Sequence, residues 1–325
     1  MKPCDLSILV VTYNSAPLVD ALLNELAEQT RGLNAEVVVV DNASHDGTAD
    51  AVALRHPGVR LVRSPQNLGF AAGNNLAAAH ARGRVLLLLN PDALPEAGCV
   101  ARGLALLDSH PQVGLAGARL LAEDGRTQPS ARMFPTLARE AFVLCGLAAR
   151  YPQSRLFGRL DRGWADPAED APVDWVPGAF ALIRRSLFDH LGGFDERFFL
   201  YYEEVDLCRR IAAAGWRVQY WPALRVHHIG GVSARTVAGA TVARAGSQLT
   251  LWRARSGLLY YRKHHGWLAA WAVNRLERAW HAVRGARAAL RGQVDKAAES
   301  ATHRSLLVRA WTDTGGGRVA PPRPW

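Results

Sequence analysis

No stretch of the chain reaches the ~18 consecutive apolar residues that a membrane-spanning helix needs, so no transmembrane helix is predicted. The opening residues, MKPCDLSILVVTYN, run straight into a strand-like segment. They lack the charged, apolar and small-residue succession of a secretory signal. Cysteine is scarce: Cys4, Cys99, Cys145 and Cys208 lie far apart and form no C-x-x-C pair. That argues against a disulfide framework or a zinc site and fits a reducing cytosol. No G-x-G-x-x-G follows the first strand-like run and no G-x-x-x-x-G-K-[ST] occurs, which speaks against a dinucleotide fold and a P-loop. Acid is scarce at one end. From Val237 onward fifteen Lys or Arg face four Asp or Glu, a net of +11 in a chain whose total is +10, so residues 1–236 sum to −1. A basic segment of this kind suits nucleic acid, an anionic membrane or an acidic partner.

The 325 residues, 49% hydrophobic and 21% charged, have a globular balance and can bury a full core. Leu6–Val11, Val37–Val40, Arg60–Val62 and Val85–Leu89 read as strands, and the segments between them, from Ala16, Thr48 and Ala71, have helical spacing. Strands alternating with helices predict parallel βαβ units in a doubly wound sheet.

The most informative of these runs is Val85–Leu89. It is apolar throughout, as a strand buried on both faces should be, and it stops at Asn90-Pro91-Asp92. Pro91 cannot donate to a ladder, so Asn90 and Asp92 fall at the carboxyl edge of a central strand, where open α/β sheets bind ligands. Asp92 suits a divalent cation brought in with a phosphate, although Asn-Pro-Asp is also ordinary turn chemistry. Thr12-Tyr13-Asn14 and Asp41-Asn42 end two other strands, and Asn67, Gly69 and Asn74 surround a turn at a helix start. An aspartate such as Asp41 can accept from a uracil or thymine imide. A glycine-containing turn lets backbone N–H groups approach a pyrophosphate. Each motif alone is equally a cap or turn. Their grouping at one edge favours a ligand.

Farther along, residues 122–172 are proline-interrupted and read as a variable insertion of the kind that sets substrate preference. A strand follows Gly178 in Trp175-Val176-Pro177-Gly178-Ala179, where the glycine makes either a tight bend or a place for substrate to approach the backbone. Glu203, Glu204 and Asp206 open a helix after an aromatic run. The helix dipole favours acids there, but grouped carboxylates also raise one another's pKa and so supply a proton acceptor near neutrality. Val218–Trp221 reads as a strand, followed by His227 and His228, and Gly230-Gly231-Val232-Ser233 as a mobile loop.

In order and spacing, Ser7-Ile8-Leu9-Val10-Val11-Thr12-Tyr13-Asn14, Val39-Val40-Asp41-Asn42-Ala43-Ser44-x-Asp46-Gly47-Thr48, Asn67-Leu68-Gly69-Phe70-Ala71-x-Gly73-Asn74 and Leu89-Asn90-Pro91-Asp92 resemble glycosyltransferase family 2, in its rhamnosyltransferase-like branch. The resemblance covers roughly residues 5–235. It implies a GT-A fold, α/β with a mostly parallel doubly wound sheet, over residues 1–235, with a nucleotide-sugar half (1–120) and an acceptor half (121–235). It implies inverting transfer of a sugar, from dTDP-rhamnose or a UDP-sugar, to a hydroxyl of a lipid-linked or cell-envelope saccharide, with Mg²⁺ or Mn²⁺. By the resemblance Thr12, Tyr13, Asn14, Asp41, Asn42, Asn67, Gly69, Asn74 and Asn90 bind the donor. Asp92 and His227 meet the metal, with His228 the runner-up, and Asn90 stands where many members carry a first acid. Trp175, Gly178 and Ala179 line the acceptor side. Glu204 is the base, with Glu203 and Asp206 beside it, although the family's second acid there is Asp. A catalytically inactive nucleotide-sugar binder and a sugar nucleotidyltransferase are the alternatives.

Residues 236–314 read as a basic amphipathic helical extension in which Trp252, Trp267, Trp271 and Trp280 interleave with arginines, and 315–325 as a disordered tail. Such helices fit the interface of an anionic membrane, or a helical subdomain with a solvated basic face. No nucleic-acid module is present. The expected location is cytoplasmic and peripheral at the inner face of the cell membrane.

Overall fold

The computed structural model describes residues 4–229 and 242–322, and for 242–247 the backbone alone. The expected loop at Gly230–Ser233 lies outside the described residues. The chain divides into two units.

The first unit, within residues 1–134, 165–195 and 204–236, is built on a nine-stranded sheet. Strands β1 (Leu6–Thr12), β2 (Ala35–Asp41), β3 (Arg60–Arg63) and β4 (Val85–Leu89) are parallel, in the order β3-β2-β1-β4. Their crossovers are α1 (Ala16–Gln29), α2 (Thr48–Arg55) and α3 (Gly69–His80). Helix α1 buries Val19, Leu22, Leu23 and Leu26, which repeat at helical spacing and join Leu6, Ile8 and Val10 of β1 in the core. Every residue of β4 is 2% exposed or less, as its unbroken apolar run requires.

The sheet continues with β5 (Ala93–Pro95), β6 (Val113–Leu121), β7 (Ala171–Val173), β8 (Phe180–Arg184) and β9 (Arg217–His228), with α4 (Cys99–Ser109), α7 (Arg185–His190) and α8 (Glu203–Ala213) between them. β8 is antiparallel to both β4 and β6, and β9 runs parallel to β6. β9 is longer than its sequence suggests, because Pro222 does not end it. The pairing jumps from Ala118↔Trp221 to Arg119↔Arg225, so Pro222 sits in an irregularity where no ladder N–H is asked of it. That extension carries the strand on to His227 and His228.

The second unit, within residues 135–164, 196–203 and 237–325, is helical. It holds α5 (Leu137–Leu144), α6 (Leu147–Arg150), α9 (Val242–His265), α10 (Trp267–Leu290) and α11 (Val294–Asp313). A single cut at residue 235 therefore does not describe the chain, since 135–164 and 196–203 cluster with the C-terminal helices. Buried polar contacts fix this unit: Arg255 with Asp313, the Ser256 hydroxyl on the Leu200 carbonyl at 2.8 Å, and the Asn274 amide on the Leu307 carbonyl at 3.0 Å. Trp252 lies 4.4 Å from the Phe199 ring. Tyr201 and Tyr202 are both left-handed (φ 70° and 66°), a conformation that costs such residues energy and bends the chain immediately before α8. Gly315–Gly317, expected within the disordered tail, form a left-handed turn in which Gly317 donates to the Thr314 hydroxyl at 3.0 Å.

Candidate active site

The parallel register places Thr12 opposite Asp41 and Val10 opposite Leu89, so the ends of β1, β2 and β4 come to one sheet edge. Asp41 is 4% exposed, and its two oxygens accept from the Thr12 hydroxyl at 3.3 Å and from the Ser44 N–H at 3.1 Å. Both bonds hold the carboxylate at the edge, and each oxygen keeps a second lone-pair direction. Asn14, left-handed at φ 48°, accepts from the His45 N–H at 2.9 Å, and its own N–H donates to Ser44 at 2.9 Å. Tyr13 lies between these anchors and is half-buried. Asp46 ties the two loops together through the N–H groups of Ala16 and Thr48. Burial alone would raise its pKa, but these bonds and the Thr48 hydroxyl outweigh that and hold it below the usual carboxylate range.

Asn42 is 2% exposed and clamps the next loop, donating to the Gly69 carbonyl at 3.0 Å and accepting from the Leu68 N–H at 3.1 Å. Asn67 accepts from the Gly69 N–H at 2.9 Å, and Gly69 is left-handed at φ 80°. Asn74 is 1% exposed and donates to the Phe70 carbonyl at 2.9 Å, which gives it a supporting role within α3. Of the expected donor residues, then, Asn42 and Asn67 hold the turn before α3, Asn74 braces α3 itself, and Thr12, Asp41 and Asn90 stand at strand ends on one sheet edge.

The Asn90 N–H donates to the Ala179 carbonyl at 3.1 Å, which joins the β4 end to the segment leading into β8. A Cβ on Gly178 would lie 2.7 Å from the tip of the Phe70 ring, so the absence of a side chain there serves the packing of Phe70. Trp175 is held by its indole N–H on the Met133 carbonyl at 3.0 Å, with Arg132 stacked 4.7 Å from the ring.

Asp92 is 5% exposed, and its carbonyl accepts from the Ile229 N–H at 3.1 Å. Ala93 pairs with His228 and Leu94 with His227, and alternate residues of a strand face opposite sides. His228 therefore meets Asp92, with Nε2 3.4 Å from Oδ1, while His227 turns the other way to Glu96 at 3.1 Å. The expectation of His227 beside Asp92 is not met, because β9 continues past Pro222 and its alternation fixes which histidine faces the carboxylate.

Gln128 holds His228 twice. Its amide donates to the His228 carbonyl at 2.7 Å, and its oxygen lies 3.0 Å from Nδ1. Because that oxygen only accepts, Nδ1 is the protonated nitrogen of whichever tautomer forms, and Nε2 is left as the nitrogen that turns a lone pair to a cation beside the carboxylate. Nε2 is buried without a hydrogen-bond partner. A lone pair and a carboxylate facing one another are a matched pair of cation donors, so these residues fit a divalent ion. Among the described residues no group of three or more His, Cys, Asp or Glu could enclose one, so this pair by itself would leave most of the coordination sphere to other oxygens, such as those of water or a phosphate. Gln128 was absent from the sequence reading. Its signal was the Asp124-Gly125 turn, which makes a hairpin returning along β6, with Gln128 donating to the Leu120 carbonyl at 2.8 Å.

Helix α8 begins with Glu203, which is 3% exposed, and Asp206 is fully buried in an ion pair with Arg210 at 2.8 Å. Arg210 also donates to the Leu191 and Gly193 carbonyls at 2.9 and 2.8 Å. Asp206 thus anchors the helix. Glu204 is the less buried of these acids. Burial pushes the Cys208 thiol, one turn along from Glu204, up to about 12, so it stays neutral.

The profile of Glycosyl transferase family 2 matches residues 7–192. The chain is 34% identical over 236 residues to N-acetylglucosaminyl-diphospho-decaprenol L-rhamnosyltransferase of Mycobacterium tuberculosis, covering 69% of this chain and 75% of that one. It is 28% identical over 171 residues to the rhamnosyltransferase WbbL of Escherichia coli, covering 49% and 60%. Among solved structures, the mannosyltransferase PcManGT of Pyrobaculum calidifontis, in complex with GDP-Man and Mn²⁺, superposes with a TM-score of 0.53 at 23% identity over 96% of this chain and 87% of that one. GalNAc-T7, with UDP, GalNAc and Mn²⁺, gives 0.56 at 16% identity over 85% and 51%. These two share the fold. With the sheet order, the edge residues and the family match in agreement, this chain belongs to glycosyltransferase family 2 and has the GT-A fold.

Proposed function

We propose that the chain transfers rhamnose from dTDP-rhamnose, with inversion, to a hydroxyl of a lipid-linked saccharide at the inner face of a cell membrane. One observation carries this reading: Thr12, Asp41, Asn90 and Asp92 meet at one sheet edge, with His228 turned to Asp92. The name of the mycobacterial relative, 34% identical, supports the choice of sugar and of a polyprenyl-diphosphate acceptor.

In this reading Asp41 accepts from the pyrimidine imide, and the Asn42 clamp, which takes up the Leu68 N–H, fixes the start of α3 so that the helix N-terminus serves the diphosphate. Asp92 and His228 are the residues that would hold Mg²⁺ or Mn²⁺. When bound, the ion neutralises charge developing on the departing diphosphate. Glu204 takes the proton from the acceptor hydroxyl, whose oxygen attacks the anomeric carbon from the face opposite the diphosphate. Asp206 is taken up by its ion pair with Arg210 and positions α8, and Glu203 stands beside the base.

The test is incubation of the purified chain with Mn²⁺, dTDP-rhamnose or a UDP-sugar, and a polyprenyl-diphosphate-linked N-acetylglucosamine. The expected products are a nucleoside diphosphate and an inverted glycoside. Pyrophosphate release would instead mark a nucleotidyltransferase. Donor binding without turnover would mark an inactive binder.

A further inference from the structure

Helix α10 is the least well covered of the apolar elements. Trp267, Leu268 and Trp271 at its start are 48%, 70% and 40% exposed, and Val283 and Leu290 farther along are 47% and 88% exposed. Trp267 and Trp271 stack at 6.4 Å, and Arg275 continues that row 5.7 Å from the Trp271 ring. The residues between are largely alanine, exposed or half-exposed at 272, 279, 282, 286 and 289. The acid of this helix, Glu277, is turned inward, its carboxyl group buried near Arg253. The outward face of this 24-residue helix, roughly 36 Å long, is thus an apolar strip with arginines and no carboxylate.

At the C-terminal end of the strip, where α10 turns into α11, lies a recess of about 270 Å³. Trp280 and Val283 form its apolar wall, and Arg284, Arg287, Arg291 and Lys296 its cationic wall. Arg284 is bridged to Glu299 at 2.9 Å. Among the described residues Arg287, Arg291 and Lys296 have no acidic partner. Val294, 74% exposed, continues the apolar surface past the recess.

We infer that α10 lies flat on an anionic bilayer, with Trp267, Leu268, Trp271 and Leu290 in the boundary between headgroups and acyl chains and the recess holding a lipid phosphate. Each feature fits that occupant. Tryptophan and leucine on one face of a helix without charge-bearing acids are the residues that enter the interface, and a one-signed cationic rim is complementary to anionic headgroups. A protein partner would call for mixed charge, and a nucleic acid has no use for exposed Leu268, Leu290 and Val294. Among the described residues no helix is long and apolar enough to cross a membrane, so the attachment is at the surface. The inference rests on the peripheral placement proposed above but not on sugar transfer.

The test is flotation of the full chain with vesicles of phosphatidylglycerol and phosphatidylcholine, against phosphatidylcholine alone, without donor or acceptor. The wild-type protein should float with the anionic vesicles, and brominated phosphatidylglycerol should quench part of its tryptophan fluorescence. Arg287→Gln with Arg291→Gln and Lys296→Gln should weaken partition about fivefold per cation, roughly a hundredfold together. Trp267→Ser with Leu268→Ser and Trp271→Ser should abolish the quenching. All six positions are exposed, and unchanged thermal melts will show that the variants fold. Wild-type protein that stays unbound, or variants that float and are quenched like it, would overturn the inference. So would tighter binding to a single-stranded oligonucleotide than to anionic vesicles. Donor turnover is measured separately, so failure here leaves the transfer reading intact.

Discussion

Gln128 and His228 are joined at both ends of one amide, its nitrogen on the His228 carbonyl at 2.7 Å and its oxygen facing Nδ1 at 3.0 Å. The first bond fixes which way the amide points, and the second fixes the tautomer of the ring.

Replacing Gln128 should therefore act on the cation through His228. Gln128→Leu is expected to weaken Mn²⁺ affinity, measured by calorimetry in the presence of nucleoside diphosphate, by about 10–100-fold. His228→Ala should do at least as much. His227→Ala should leave Mn²⁺ affinity unchanged, because that ring faces Glu96.

The acids at the start of α8 should separate cleanly. Glu204→Gln should lower transfer by about 10²–10⁴-fold while donor affinity and the urea midpoint stay near wild type. Asp206→Ala leaves Arg210 with its acidic partner gone and should cost about 3–5 kcal/mol in urea denaturation. Equal losses of stability in the two variants would undo the division of roles.

Gly178→Ala should push on Phe70, since the new Cβ would stand 2.7 Å from the ring tip. A cost of about 1–3 kcal/mol is expected, together with weaker donor binding, because Phe70 adjoins the Asn67–Gly69 turn. Phe70→Leu in the same chain should restore much of the stability, as read by thermal melting and donor titration.

Burial raises the Glu277 carboxyl to about 7, against the opposing pull of Arg253. The folded protein thus keeps a proton that the unfolded chain gives up near its ordinary value of 4.5. The contribution of this group to stability should be fully present below that lower value, fall as pH rises toward 7, by about 3 kcal/mol at most, and level off beyond. Glu277→Gln should flatten that slope in denaturation curves taken across the range.

The parallel half of the sheet was legible because β1, β2 and β4 are apolar runs ended by polar residues, and register alone then carries Thr12, Asp41 and Asp92 to one edge. The second half was less so. The strand expected over Val218–Trp221 runs on past Pro222 through an irregular pairing, and only that extension sets which of His227 and His228 faces Asp92. Gln128 sits in a segment with no hydrophobic period, and its importance comes from a partner one hundred residues away. Asp206 could not be told from a proton acceptor until its contact with Arg210 was seen. Membership of residues 135–164 in the helical unit left no mark in composition.

Two neighbouring histidines on one strand have opposite fates here, and strand geometry makes the choice binary. Adding or deleting one residue between Arg225 and His228 would exchange them, sending the salt-bridged ring inward and the Gln128-held ring out to Glu96. Length changes at the Asp124-Gly125 tip would disturb neither. Chain length should therefore vary freely at the hairpin tip and hardly at all in the last four residues of β9.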